Sequence, residues 1–306
     1  MTPFNTFSKN MARSQILSIL FAASSYACLV TFHILLEIDA IPMTVRGFFC
    51  SDNSIKYPYQ KQTVNGGLLF LISFAGVVFT FTLGETSAAS TNASRSYKKH
   101  HLGVTSEDNS KRNERRFGNH LWYIRVIKII LMCWWSTAAT MLVTSIIKSV
   151  VGKPRPNFLA VCNPNITCTS NNTQYNIEYV CQGTELMGNW KRLAVTHSKG
   201  INQARRSFPS GHASYVASMA TFAILYIEKR LRTTNRFPLL IPLLEIMWIC
   251  FAAFVSTSRI SDYYHDLGDV IFGSLLGITI TLIIGVHIMT WLINLKSCRD
   301  NDVSMK

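Results

Sequence analysis

The stretch GGLLFLISFAGVVFTFTL, residues 66–83, contains no charged side chain. A helix needs about 20 apolar residues to cross the hydrocarbon core of a bilayer, so this run reads as a membrane span. The rest of the chain agrees. Its 306 residues are 48% hydrophobic and only 15% charged, and the mean hydropathy is +0.20, which argues against an ordinary soluble globule. Working outward, comparable runs lie at about 16–36, 125–147, 212–228, 237–256 and 268–292. The fold expected is all-α: a six-transmembrane helical bundle built by residues 1–295 as one domain, with 296–306 as a cytosolic tail. A cleaved signal peptide is the rival reading of the first run, because Lys9 and Arg13 precede it and Ala22-Ala23 offers small residues. Its apolar length exceeds the usual h-region, which favours an uncleaved anchor.

The loops set the orientation. The segment between the second and third spans carries Arg95, Lys98, Lys99, Lys111, Arg112, Arg115 and Arg116, and the turn after the fourth carries Lys229, Arg230, Arg232 and Arg236. Cytoplasmic loops are rich in Lys and Arg, so both loops and the two termini are expected in the cytosol. Loop 148–211 dissents, with eight Lys or Arg against two acids. Parity nevertheless puts it outside, and loops of that length escape the rule. Two sequons in it, beginning at Asn165 and Asn171, are candidate glycosylation sites. Cys50, Cys162, Cys168 and Cys181 fall on the same outer side, where disulfides persist. The crowding of the last three favours a local bridge, Cys168 with Cys181, among three pairings. Residues 90–119 and the tail after Lys296 read as flexible.

The outer ends of the spans carry the chemistry. Lys148 stands with Arg155-Pro156, then comes Pro209-Ser210-Gly211-His212, then Ser258-Arg259 with His265 and Asp269. A phosphoryl group in transfer spreads negative charge over three oxygens, and several preorganised cations and donors must meet it. Lys148, Arg155 and Arg259 are the candidate cations, against the plainer reading of side chains snorkelling to headgroups. Ser210 and Gly211 precede an apolar helix whose first N–H groups can face an anion, although serine there is also an ordinary cap. His212 beside such an anion is placed to act as general acid. Asp269 follows His265 by four residues, one helical turn, and so can orient an imidazole that attacks with its other nitrogen. A metal is not expected, because His33, His100, His101, His120, His197 and His287 are scattered and read as structural or solvated. Gly273 and Gly277 in the last span form a step suited to close packing inside the bundle.

Taken in order and at these spacings, the three stretches resemble the tripartite signature of the type 2 phosphatidic acid phosphatase superfamily, and within it the animal lipid phosphate phosphatases. Arg46-Gly47-Phe48-Phe49-Cys50, Tyr57-Pro58-Tyr59 and Ala204-Arg205-Arg206-Ser207-Phe208 widen the likeness, which covers about residues 10–295. The resemblance implies His265 as a nucleophile forming a phosphohistidine, oriented by Asp269. It implies His212 as the acid and then the base for water, and Lys148, Arg155, Ser210, Gly211 and Arg259 as the phosphate cradle. It further implies a metal-independent enzyme without cofactor, an active site at the extracellular or lumenal membrane edge, and phosphatidic acid, lysophosphatidic acid, ceramide 1-phosphate and sphingosine 1-phosphate as substrates. The partners expected are a lipid phosphate and the membrane, not nucleic acid, with a homo-oligomer open. The plasma membrane is the expected location, an endomembrane the alternative. Rival functions are a phosphatase for a soluble monoester or a polyprenyl diphosphate, and a non-catalytic lipid-phosphate binder or transporter.

Overall fold

Away from water, backbone N–H and C=O groups must be satisfied within their own segment, which is why the charge-free runs fold as helices. The computed structural model describes residues 3–38, 43–101, 108–166, 168, 174–182, 197–232 and 239–304. Its helices are α1 (Pro3–Glu37), α2 (Gly66–His101), α3 (Asp108–Val151), α4 (Phe158–Cys162), α5 (His197–Ala204), α6 (Gly211–Tyr226), α7 (Leu240–Ser261) and α8 (Leu267–Ser304). Five of them contain a window long and apolar enough to cross a membrane: Leu20–Glu37, Gly66–Ala88, Arg125–Val151, Leu240–Ser261 and Leu267–His287.

The sixth expected span is different. α6 has 16 residues, short of the roughly 20 that cross a bilayer core, and a π-helical turn, Ile227–Leu231, continues it. It is the inner helix of the bundle, with Val216, Met219, Phe222 and Ala223 fully buried and α2, α3, α7 and α8 packed around it. The segments read as flexible, 90–119 and the tail after Lys296, include stretches of helix. Helical backbone continues through α2 to His101, resumes in α3 at Asp108 and runs in α8 to Ser304, with residues 102–107 outside the described set.

Glycine and hydroxyl side chains bring α8 onto α6. A Cβ at Gly277 would lie 2.3 Å from the Ser214 carbonyl oxygen, and one at Gly273 would lie 2.6 Å from that of Ser210. The close approach lets buried hydroxyls pair across helices: Ser218 with Thr281 at 2.7 Å, Thr144 to Ser214 at 3.1 Å and Thr137 with Ser218 at 3.2 Å. Such pairs contribute about 0.6 kcal/mol each in membrane bundles. At the opposite end Arg230 donates twice to buried Glu85, at 2.8 and 2.9 Å, tying α2 to the turn after α6.

A small cap covers the end of the bundle away from Glu85. Strands β1 (Phe48–Phe49) and β2 (Tyr175–Asn176) pair antiparallel, and Phe48, Phe158 and Tyr179 form an aromatic cluster beneath them. Two disulfides staple it, Cys162–Cys181 and Cys50–Cys168. The expected Cys168–Cys181 bridge is therefore incorrect. Pro164 bridges to Cys181, which brings Cys181 beside Cys162, while Cys168 joins the segment after α1. Asn165 is exposed and accepts a hydrogen bond from Val180 N; Asn171 lies outside the described residues.

Candidate active site

A cavity of about 420 Å³ opens at the capped end of the bundle, and Lys148, Arg155, Gly211, His212, Arg259 and His265 all line it. Each reaches it through a different device. Lys148 belongs to the last turn of α3. Just beyond, Gly152 has φ +59°, and a Cβ there would meet the Thr44 carbonyl oxygen at 2.2 Å, so the turn requires glycine. The chain then runs beside 204–207, with Arg155 N donating to Ala204 O at 2.8 Å and Ser207 N to Lys153 O at 2.8 Å. The Arg155 guanidinium lies 5.1 Å from the Tyr264 ring centre, and its Nε has no hydrogen-bond acceptor. Burial pushes Arg155 down to about 10, which leaves it charged at neutral pH.

Arg259, wholly buried at the end of α7, donates to Ser258 Oγ at 3.1 Å and to Asp262 Oδ2 at 2.9 Å. Asp262 is itself fixed by Thr63, whose N and Oγ1 donate to it at 2.8 and 2.7 Å. The Nη1 of Arg259 remains without a partner. A buried guanidinium with idle donors is costly unless an anion comes to meet it.

Ser210 starts α6 but does not cap it with its side chain; its Oγ is buried and unpartnered. Its backbone N donates to Asp269 O at 3.0 Å, which locks the head of α6 to the head of α8. A Cβ at Gly211 would lie 2.9 Å from Lys148 Nζ, so glycine keeps that side of the cradle open. The first N–H groups of α6 have no acceptor within the helix. Beside them, His212 Nε2 is buried without a partner.

His265 is not one helical turn before Asp269, as its spacing predicts. α7 ends at Ser261 and α8 begins at Leu267, so His265 sits in the turn between them, where its N donates to Arg259 O at 3.3 Å. The turn is made possible by Tyr263, at φ 58°, and is covered from outside by Tyr57 stacked on Tyr263 at 4.6 Å. Asp269 still faces the imidazole, with Oδ2 3.8 Å from Nδ1, an ion-pair distance and too long for a hydrogen bond. Burial, reinforced by Arg155 and Lys148, outweighs the pull of Asp269 and pushes His265 down to about 3, so it is neutral at pH 7.

Several residues of the site escape the sequence reading. Lys153 donates to Asp269 Oδ1 at 2.8 Å and also to Asp266, and Ser207 Oγ donates to Asp269 Oδ2. Burial opposes the Lys153 charge, but these two carboxylates raise its pKa above the ordinary lysine value. Arg206 adds a further guanidinium to the cavity wall. His33 and Glu37 reach the same wall from α1, so His33, read from the sequence as structural or solvated, lies at the cavity. Only Arg206 and Ser207 carried any signal, as part of the stretch preceding Pro209.

The family model described as the PAP2 superfamily matches residues 129–293, which hold all eight of the cradle and catalytic candidates. The chain belongs to the PAP2 superfamily. It is 28% identical to mouse phospholipid phosphatase 1 over 79% of this chain and 75% of that one. It is 31% identical to a putative phosphatidate phosphatase of Drosophila melanogaster over 79% of this chain and 61% of that one. With human phospholipid phosphatase 2 it shares 30% identity over 76% of this chain and 69% of that one. No solved structure matches. In this PAP2 chain the matched segment runs from within α3 to within α8, so the α1 wall with His33 and Glu37 lies outside it.

Proposed function

We propose that this PAP2 protein is an integral-membrane lipid phosphate phosphatase that hydrolyses phosphomonoesters such as phosphatidic acid, lysophosphatidic acid, ceramide 1-phosphate and sphingosine 1-phosphate. The observation that carries the reading is one cavity holding four cationic side chains, Lys148, Arg155, Arg206 and Arg259, together with His212 and His265. The relatives' names, phospholipid phosphatase and phosphatidate phosphatase, point the same way. Apolar Leu69, Phe70 and Met141 on the same wall suit a substrate whose tail stays in the membrane.

In the mechanism we infer, the cations, Ser210 Oγ and the first N–H groups of α6 take the phosphate oxygens. Asp269 keeps the proton on His265 Nδ1, leaving Nε2 with its lone pair. Nε2 attacks phosphorus as the P–O ester bond breaks, and His212, which takes up a proton once the bound phosphate offsets the surrounding Lys148, Arg155 and Arg259, gives that proton to the departing alkoxide. His212, now neutral, takes a proton from water, whose oxygen attacks phosphorus. The P–N bond breaks, phosphate leaves and His265 is restored. Asp269 would tighten onto Nδ1 as the imidazole gains positive charge; catalytic contacts are often loose without substrate.

The same reading assigns six spans, counting α6 with its π turn, cytosolic termini and a catalytic pocket on the extracellular or lumenal side. Asn165 and Asn171 would carry glycans there, in the plasma membrane or an endomembrane. The test is phosphate release from phosphatidic acid in mixed micelles containing a metal chelator. Wild type is expected to release phosphate and His265→Ala to fall to background. Full activity in that variant would refute the mechanism, and activity lost to the chelator would refute metal independence.

A further inference from the structure

The phosphate cavity contains one group that a phosphate does not want. Glu37, the last residue of α1, is the sole carboxylate among the described residues lining it. Its Oε1 accepts a hydrogen bond from Ser145 Oγ at 3.0 Å, and Ser145 Oγ also meets His33 Nδ1 at 3.0 Å. Its Oε2 lies 3.8 Å from Arg206 Nη1, beyond hydrogen-bond reach. Lys148 and Arg155 are near enough to feel its charge.

Two structural duties fail to account for a carboxylate at this place. Arg206 is already positioned without it, because Nη2 donates to Leu36 O at 3.1 Å. The hydroxyl of Ser145 could as well donate to an uncharged amide. Meanwhile a fixed negative charge beside Lys148 and Arg155 opposes the binding of any phosphate dianion. Oε2, at ion-pair distance from Arg206 but accepting no hydrogen bond from it, belongs to a side chain that is 36% exposed and lines the cavity. A carboxylate there balances part of the charge of Lys148 and Arg206, and because it reaches the cavity it also offers a contact to a positive group carried on the ligand itself.

Resting on the lipid phosphatase reading above, we propose that Glu37 is a specificity-determining residue that pairs with an ammonium on the carbon next to the phosphoester, as sphingoid-base 1-phosphates carry. The cations of the cradle take the phosphate, Glu37 takes the ammonium, and the apolar wall of Leu69, Phe70 and Met141 takes the chain. Acylation of that nitrogen removes its charge, and with it the partner of Glu37. Ceramide 1-phosphate then meets the carboxylate without bringing a cation of its own to offset it.

The experiment compares sphingosine 1-phosphate with ceramide 1-phosphate, which differ at that nitrogen, on the full-length protein in mixed micelles. Phosphatidic acid serves as a third substrate. For Glu37→Gln the ratio of kcat/KM for sphingosine 1-phosphate over ceramide 1-phosphate should fall about tenfold, the order of a charge-assisted hydrogen bond. Glu37→Asp, which keeps the charge, should restore much of the ratio. An unchanged ratio in Glu37→Gln, whether both rates hold or both fall together, would overturn the proposal and leave Glu37 a structural residue. Hydrolysis of none of the three lipids by wild type would overturn the phosphatase reading instead.

Discussion

Replacing Gly277 by alanine tests whether contact between α6 and α8 sets the catalytic geometry. The new methyl would stand 2.3 Å from Ser214 O, 3.1 Å from Ser214 C and 3.1 Å from Ser218 N, all backbone atoms that cannot rotate away. Relief to an ordinary contact requires α8 to retreat by about 1 Å. That shift would break the 2.7 Å pair between Ser218 and Thr281 and stretch the 3.0 Å bond from Ser210 N to Asp269 O, which joins the two helix heads. Overpacking of this kind costs about 1–3 kcal/mol, and a 1 Å misplacement can lower a rate about 100-fold. Gly285→Ala is the control, because its methyl would meet only the tip of Leu225, Cδ1 at 2.9 Å, which can turn aside. Phosphate release and thermal melting in micelles should show Gly277→Ala slow and less stable and Gly285→Ala near wild type. Wild-type activity and melting in Gly277→Ala would refute the reasoning.

Lys153→Met should lower kcat by roughly tenfold or more with a smaller effect on KM, because it removes the 2.8 Å donor that holds Asp269 while leaving the cavity cations in place. A kinetic profile identical to wild type would show that Ser207 alone positions Asp269. His265 has a folded-state pKa of about 3, below that of an unfolded histidine, so between these values only the unfolded chain holds the extra proton. Its contribution to stability should therefore grow as pH rises through that window and level off above about 6.5. Nitrogen NMR of labelled histidines in micelles should find His265 neutral at about pH 5.5, where a free imidazole is mostly protonated; an imidazolium at that pH would contradict its burial.

What could be read beforehand divides along physical lines. Membrane helices announce themselves because lipid excludes charge, and residues 66–83 fall within α2. The length of α6 was less visible, since α2, α3, α7 and α8 surround it and relax the usual length requirement. The three cationic and histidine stretches stood out because each is expensive at a bilayer edge. The turn bearing His265 did not, for neither glycine nor proline marks it and Tyr263 supplies the positive φ. Lys153 looked like one more cation in a basic loop; its pairing with Asp269 joins residues 116 positions apart and depends on the folded chain. Glu37 was hidden at the end of an apolar run, and proximity in sequence suggested the wrong partner for Cys168.

The central claim is a covalent phosphate on His265. Purified protein incubated with phosphatidic acid labelled in its phosphate, then quenched in alkali, should retain label on the peptide carrying His265 in an acid-labile, base-stable form. The label should vanish in His265→Ala and accumulate in His212→Ala if phosphoryl transfer to His265 outpaces its hydrolysis there. Label that is absent from wild type during turnover, or that persists in His265→Ala, would contradict the account.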